Sequence, residues 1–254
     1  MIKGFGEGGE EIRKGEEGLG EMDMDIGDKP KPGAGDIIHT VVKASLSAIP
    51  IAGGPAAELF AAIITPPIIK RRDAWVESLG QSLLALQEKI AGFNIDDLQN
   101  NEQFITAVMH ATNSASRNHD KEKLDALRNA TMNAALKIEP DEDLQLIFLY
   151  HVDQLTRWHL RILSFFSSPT RWYEDNKLKK PDLYMGAPAQ ALEGAFLELR
   201  GNRAFYDQVI KDLYSRGLLG IESLHVTMTG QGIFESRTTD IGNRFLRFIT
   251  SPID

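Results

Sequence analysis

Six histidines are the side chains of this chain best suited to acid–base or metal chemistry. His151 and His159 lie eight residues apart on what we predict is one long helix, a separation of about two turns that is too large for a shared metal ion. Neither residue has a glutamate in the H-E-x-x-H arrangement of zinc proteases. Both lie beside an apolar stripe, so we predict hydrogen-bonded core histidines. His119, in a polar connection, is predicted to be an exposed loop residue.

Other chemical patterns are equally weak. The acidic run Asp141-Glu142-Asp143 has the oxygen ligands that Mg²⁺ prefers, but first-turn acids also stabilise a helix dipole, and we favour that interpretation. A G-x-G-x-x-G begins at Gly4, where no predicted strand precedes it as a dinucleotide site requires. No histidine follows an arginine at the spacing of HEPN ribonucleases, and the chain has no cysteine. We therefore predict no enzyme, no metal and no cofactor.

Composition indicates a soluble globular protein. The chain has 254 residues, of which 42% are hydrophobic and 25% charged, and its net charge of −8 argues against general affinity for nucleic acid. Residues 1–35 hold five basic and nine acidic side chains, so we predict a flexible acidic tail. The first long apolar run begins near residue 37 and no uninterrupted run reaches 18 residues, so we expect neither a signal peptide nor a transmembrane helix.

The longest apolar stretch, residues 37–72, decides most of the functional question. Two apolar helical patterns meet at Gly53-Gly54-Pro55, and we predict that Pro66-Pro67 ends the second helix. We favour the interpretation that the hairpin forms the floor of a helical bundle, and the alternatives are that it inserts into a bilayer or lines a groove for a partner. Small residues and a basic cluster suit a membrane, whereas Glu58 opposes insertion. The candidate membrane or partner contacts are Ile49, Gly53, Gly54, Phe60, Ile64, Lys70, Arg71 and Arg72.

Helical periodicity continues through the rest of residues 36–168, which we predict to be an all-α bundle. An inward stripe of Trp75, Leu79, Leu83, Leu86 and Ile90 repeats every three or four residues. Further helices are predicted to begin at Asn100-Asn101 and to span 121–136. The longest predicted helix starts at the acidic run after Pro140 and is ended by Ser168-Pro169.

Residues 188–252 have a different pattern, separated by a predicted linker at 169–187. Helices at 188–200 and 203–216, a β-hairpin from 224–228 and 232–234, and a last helix after Thr239 give the order of a small winged-helix-like α+β module. The fold class is therefore mainly α. The possible nucleic-acid contacts are Arg203, Lys211, Arg237, Arg244 and Arg247. Because nearby aspartates balance the charge of helix 203–216, we prefer a protein-contact role for the module.

Three segments carry a family resemblance: AIPIAGGPAAELFAAIITPPIIKRRDAWVESL, EKLDALRNATMNAAL and LIFLYHVDQLTRWHLRIL. Together with a C-terminal pattern TxTGxGxFxxxxTxxGxxFLxFI at residues 227–249, they resemble an uncharacterised family of bacterial helical proteins. The layout is similar, more distantly, to abortive-infection proteins of the Abi-alpha type. The resemblance covers about residues 37–252 and contains no catalytic motif. It implies a bacterial cytoplasmic protein from a defence or stress setting.

These observations lead to one functional prediction and one alternative. We predict a non-enzymatic interaction or effector protein whose C-terminal module docks a partner, in the phage-defence setting that the resemblance implies. In a sharper form of this hypothesis, the apolar hairpin at residues 37–69 perturbs a membrane. The alternative is a DNA-binding regulator that acts through the C-terminal module. We expect a protein partner first, a membrane second and nucleic acid last, with the protein in the cytoplasm or at the periphery of the inner membrane.

Overall fold

The computed structural model describes residues 55–137 and 140–253. The predicted acidic tail, the predicted first helix and the candidate contacts Ile49, Gly53 and Gly54 lie outside these residues. The described helices are α1 (Pro55–Lys89), α2 (Glu102–Arg117), α3 (Lys121–Ala135), α4 (Glu142–Gln154), α5 (Arg157–Ser167), α6 (Pro169–Asp175), α7 (Pro188–Ala195), α8 (Arg203–Ser215), α9 (Gly230–Ile233) and α10 (Asp240–Phe248). Short 3₁₀ helices cover Ile95–Asn100 and Leu197–Leu199, and two short strands are β1 (Met185–Gly186) and β2 (Met228–Thr229).

Helix α1 continues through the double proline that was predicted to end it. Pro66 and Pro67 lie inside a helix of 35 residues. A proline in a helix removes the hydrogen bond to the carbonyl four residues earlier. Here those carbonyls belong to Ala62 and Ile63. Both residues are exposed, so water can donate the hydrogen bonds that the prolines cannot. The predicted helix end at residues 66–67 is therefore wrong.

Helices α1 to α4 form the bundle that the periodicity predicts. Trp75, Leu79, Leu83 and Leu86 are all buried on one face of α1, which packs against α2 and α3. Side-chain caps fix where the next helices begin, because each accepts a hydrogen bond from a backbone N–H of the first turn. The capping residues are Asn101 for α2, Asp120 for α3 and Asp141 for α4.

The predicted long helix after residue 141 is two helices. Helix α4 ends at Gln154 and α5 begins at Arg157, because Thr156 starts a new helix with a capping box. The Thr156 N–H donates to Nδ1 of His159 at 3.2 Å, so the third residue of α5 binds back to the cap. The apolar stripe did not reveal this break, since the stripe continues on both sides of it. His151 and His159 consequently lie on different helices.

The C-terminal part contains no β-hairpin within its described residues. Strand β2 pairs antiparallel with β1, with Met185 opposite Thr229, and residues 230–233 are helical. The hairpin that would form the wing of a winged helix was therefore predicted wrongly, whereas helices α8 and α10 are confirmed. The first part of the predicted linker is also corrected, since Pro169–Asp175 is helical and Tyr173 is buried. The fold is mainly α with a small two-stranded sheet.

A single hydrophobic core spans both sides of the segment predicted as a linker. Phe148 of α4 contacts Phe245 and Phe248 of α10, with ring centroids 5.3 and 5.8 Å apart. Asn133 of α3 donates to the backbone carbonyls of Phe248 and Thr250 at 2.8 and 2.9 Å. These contacts fix the last helix against the bundle.

Candidate functional site

The first half of α1 exposes apolar side chains that the second half of the same helix buries. Leu59, Phe60 and Ile63 are 64%, 65% and 60% exposed, so the favoured prediction that this stretch forms the buried floor of the bundle is wrong for these side chains. Between residues 58 and 74 no side chain of the helix is fully buried, and Trp75 is the first one that is. The basic residues Lys70 and Arg71, both exposed, follow the apolar run directly. This exposed apolar segment, residues 58–72, is an amphiphilic surface with apolar and cationic parts.

A groove of about 1070 Å³ lies between this segment and helices α2 and α4. Ile63, Ile64 and Ile68 of α1 line one side. The polar side chains that line the other side include His110 and Arg117 of α2 and Tyr150 and Asp153 of α4. Arg71 and Arg72 of α1 lie at the same groove. The groove thus joins an apolar wall to a wall of hydrogen-bonding groups.

Asp153 is the centre of the hydrogen bonds on the polar wall. Ser114 donates to its Oδ1 at 2.6 Å, and Nη2 of Arg117 contacts Oδ1 and Oδ2 at 3.0 and 3.1 Å. Burial by itself would raise the pKa of Asp153. The hydrogen bond from Ser114, the charge of Arg117 and the smaller effects of His110 and Lys123 together outweigh burial and hold the pKa below its ordinary value of 3.8. The carboxylate is therefore ionised and already paired.

His110 lies beside this carboxylate with one ring nitrogen buried. Its Nδ1 has no hydrogen-bond partner, and the Tyr150 ring packs edge-on at 5.0 Å between centroids. Burial lowers the pKa of His110, and the charge of Arg117 lowers it further, against the opposing effect of Asp153. The imidazole is consequently neutral at pH 7.

A second histidine cluster joins α5 to α8. Nε2 of His159 lies 3.1 Å from Oδ2 of Asp212, while its Nδ1 accepts the Thr156 N–H. An Nδ1 that accepts a backbone N–H cannot carry a proton, so this ring is neutral with its hydrogen on Nε2. Burial lowers the pKa of His159 accordingly. The predicted role of a buried, hydrogen-bonded core histidine is confirmed for His159, whose contacts connect helices rather than form a reaction centre.

Arg203 and Arg237, two of the five basic residues predicted to contact nucleic acid, have protein partners. Arg203 pairs with Asp207 at 3.2 Å on α8. Arg237 lies half-buried, where its guanidinium donates to the backbone carbonyl of Gly232 and contacts Sδ of Met228 at 3.0 Å. Arg244 is half-buried on α10, whereas Lys211 and Arg247 are exposed. Arg203 and Arg237 thus bind groups of the protein itself, and the nucleic-acid contacts stay a prediction.

The acidic run and His119 do not form a metal site in residues 55–137 and 140–253. His119 is exposed, as predicted, and Asp141 accepts the Leu144 N–H as a helix cap at 3.1 Å. Within the described chain, no group of three His, Asp or Glu side chains is arranged to hold a metal ion. Glu142 and Asp143 lie in the first turn of α4, as the favoured interpretation predicts, and Asp141 is its cap.

Sequence reasoning found the apolar side of the groove and missed its polar side. Phe60, Ile64, Lys70, Arg71 and Arg72 were predicted contacts, and Ile64, Arg71 and Arg72 line the groove. His110 and Asp153 lie 43 residues apart on different helices, and no spacing rule brings them together. The available signal was a histidine and an aspartate on the polar edge of otherwise apolar helical patterns.

Comparison with protein-family models, curated proteins and solved structures gives no match for this chain. Among the described helices, none combines the length and apolar character needed to cross a bilayer.

Proposed function

We propose that this protein is a non-enzymatic effector that docks on anionic membrane surfaces through the exposed apolar segment of α1. The observation that carries the proposal is the run of exposed Leu59, Phe60 and Ile63 in a helix that goes on to the basic Lys70-Arg71-Arg72. Soluble proteins rarely expose neighbouring large apolar side chains unless these contact a partner or a membrane. Basic residues at the polar end favour anionic head groups.

The proposed contact is peripheral. Apolar side chains enter the boundary between head groups and acyl chains, while Lys70 stays at the level of the head groups. The double proline lies within the segment, where exposed carbonyls need water or another donor, and this favours the interface over the hydrocarbon centre. We place this role in the bacterial defence setting that the sequence resemblance implies, at the inner face of the cytoplasmic membrane.

A DNA-binding regulator has weaker support. On α8, Arg203 pairs with Asp207 and Arg216 pairs with Asp212, both at 3.2 Å, so the helix carries little uncompensated positive charge. Affinity for DNA depends on such charge because phosphate contacts release counterions.

Flotation with vesicles tests the proposal. Wild-type protein is expected to float with phosphatidylglycerol-containing vesicles and to stay unbound with pure phosphatidylcholine, and high salt is expected to weaken binding. Phe60→Glu should abolish flotation, because a buried carboxylate opposes insertion into the interface. Leu197→Glu is the matched control, since Leu197 is 62% exposed and lies in the C-terminal part.

The proposal fails if Phe60→Glu floats like wild type or if no version floats. Recovery of a soluble protein partner that Phe60→Glu loses, without any vesicle binding, would assign the segment to protein recognition instead. Circular dichroism and thermal unfolding of each variant establish that the fold is retained.

A further inference from the structure

The groove beside the apolar segment has the size of a ligand site. Its volume of about 1070 Å³ is at the upper end of the range for small-molecule pockets, about 300–1,000 Å³. From Ile63 to Arg72 the lining part of α1 extends about 14 Å, at 1.5 Å per residue. A ligand in this groove would therefore be elongated.

The two walls demand opposite chemistry from such a ligand. Ile63, Ile64 and Ile68 continue the four-residue spacing that buries the rest of α1, but here they border the groove. An alkyl chain placed along them would gain the burial that Leu79 and Leu83 gain from the bundle. The facing wall carries polar side chains, among them His110 and Tyr150, and therefore favours a polar part of the ligand.

The charges of the groove favour an anion. Its three arginines are Arg71, Arg72 and Arg117, and the only carboxylate among the described lining residues is Asp153. Arg117 is paired with Asp153 at 3.0 Å, and Arg72 with Asp73 at 2.7 Å. Arg71 makes no ion pair with a described residue. One guanidinium is therefore available at the end of the apolar wall.

His110 lines the groove, but its Nδ1 does not serve a ligand there. That nitrogen is buried without a hydrogen-bond partner, so an oxygen atom in the groove does not reach it. The Tyr150 ring packs edge-on against the imidazole at 5.0 Å between centroids. Arg71 is therefore the group that binds an anionic head.

We propose that the groove binds one molecule of a single-chain anionic amphiphile, with the alkyl chain along Ile63, Ile64 and Ile68 and the carboxylate or phosphate head at Arg71. This inference goes beyond membrane docking, because the occupant is a separate molecule held between α1 and the bundle. It shares Ile63 and Arg71 with the proposed membrane contact but does not use Leu59 or Phe60, so a change at Phe60 separates the two.

Isothermal titration calorimetry of the full chain tests the site, with every amphiphile kept below its micelle concentration. Dodecanoate and dodecyl phosphate are the probes. Dodecyltrimethylammonium replaces the head group by a cation, and inorganic phosphate lacks the chain. We expect saturable binding with one site per chain for at least one anionic probe, and at least about tenfold weaker binding for the cation and for phosphate alone. A preference for dodecanoate or for dodecyl phosphate assigns the head group.

Variants separate the groove from the membrane contact. Arg71→Gln should weaken binding of the anionic probe about tenfold, whereas Arg171→Gln, which removes an exposed charge on α6, should leave it unchanged. Ser116→Trp should block the groove by filling it, and Ile68→Glu provides a second block if the tryptophan variant unfolds. Phe60→Glu should lose vesicle flotation while it retains binding of the soluble amphiphile.

The inference is overturned if no anionic probe binds, if the cation binds equally well, or if a folded Ser116→Trp or Ile68→Glu protein binds like wild type. Loss of vesicle flotation in Phe60→Glu together with intact amphiphile binding would support both proposals. Amphiphile binding without any flotation would support the groove and reject the membrane contact.

Discussion

The two halves of α1 share one helix and one apolar spacing, yet they have opposite surroundings. Leu83 is 1% exposed, and Leu59, about seven turns earlier on the same helix, is 64% exposed. Helices α2 and α3 cover the second half, whereas the first half extends past the bundle beside an open groove. The same residue type therefore stabilises the fold at one position and remains available for a partner at the other.

The largest expected effect comes from the covered half. Leu83→Ala removes a fully buried side chain and leaves a cavity, so we expect the free energy of unfolding to fall by about 2–5 kcal/mol. Urea denaturation followed by circular dichroism measures the change. A loss below about 1 kcal/mol would mean that this half of α1 is not an integral part of the bundle.

A smaller effect is expected at Asp153, on the polar wall of the groove. Asp153→Asn keeps an acceptor for Ser114 and removes the charge that faces Arg117, so we expect a loss of about 1–2 kcal/mol at pH 7. The folded pKa of Asp153 lies below 3.8, so this contribution is present above that pH and disappears as the pH falls through the folded pKa. Denaturation of both proteins from pH 7 down to pH 3 measures the difference. A gap that widens on acidification contradicts the assignment.

A third effect concerns His159, which makes the stability of the buried part of the protein depend on pH. The pKa of His159 is below 6.5 in the fold, so its contribution to stability is present above pH 6.5 and is lost as the pH falls through the folded pKa. His159→Gln preserves a capping-box acceptor and removes this titration, at a cost of about 1 kcal/mol at pH 7.5. Thermal unfolding of this variant should depend less on pH between 7.5 and 5.5. An unchanged pH dependence would show that protonation of His159 does not oppose folding.

The smallest effect is expected in the exposed half. Leu59→Ala should change the free energy of unfolding by no more than about 0.5 kcal/mol, because exposed side chains away from special contacts contribute little. It is the matched partner of Leu83→Ala, with the same substitution in the same helix. A loss comparable to that of Leu83→Ala would mean that the first half of α1 is covered in solution, and the contrast between the halves would not hold.

Periodicity predicted the helices well because burial and helical geometry repeat together. The stripe from Trp75 to Leu86 is buried as predicted, and Asn101 begins α2 where its cap was expected. Periodicity does not indicate whether another helix covers an apolar face. Phe60 and Ile64 have the same spacing as Leu79 and Leu83, and only the ends of α2 and α4 decide which of them are buried.

The failures have local physical reasons. The break at Thr156 was missed because a cap formed by His159 competes with helix continuation, while the apolar stripe runs through. The hairpin was predicted from alternation near Gly230, where the observed reason for glycine is different. An added Cβ at Gly230 would overlap the carbonyl oxygen of Leu183, so this glycine allows a close approach of two backbone segments. The polar wall of the groove depends on contacts between distant helices, which spacing does not encode.

Asn133 and Phe148 also bear on how the chain is made. The partner of Asn133 at Phe248 lies 115 residues later in the sequence. At a synthesis rate of about 5–20 residues per second, the ribosome delivers it roughly 5–25 s after Asn133. During that interval the surface of the nascent bundle that α10 later covers is exposed, including the Asn133 amide and the Phe148 ring. A ribosome stalled before Asp240 would therefore display an unfinished core to chaperones and proteases.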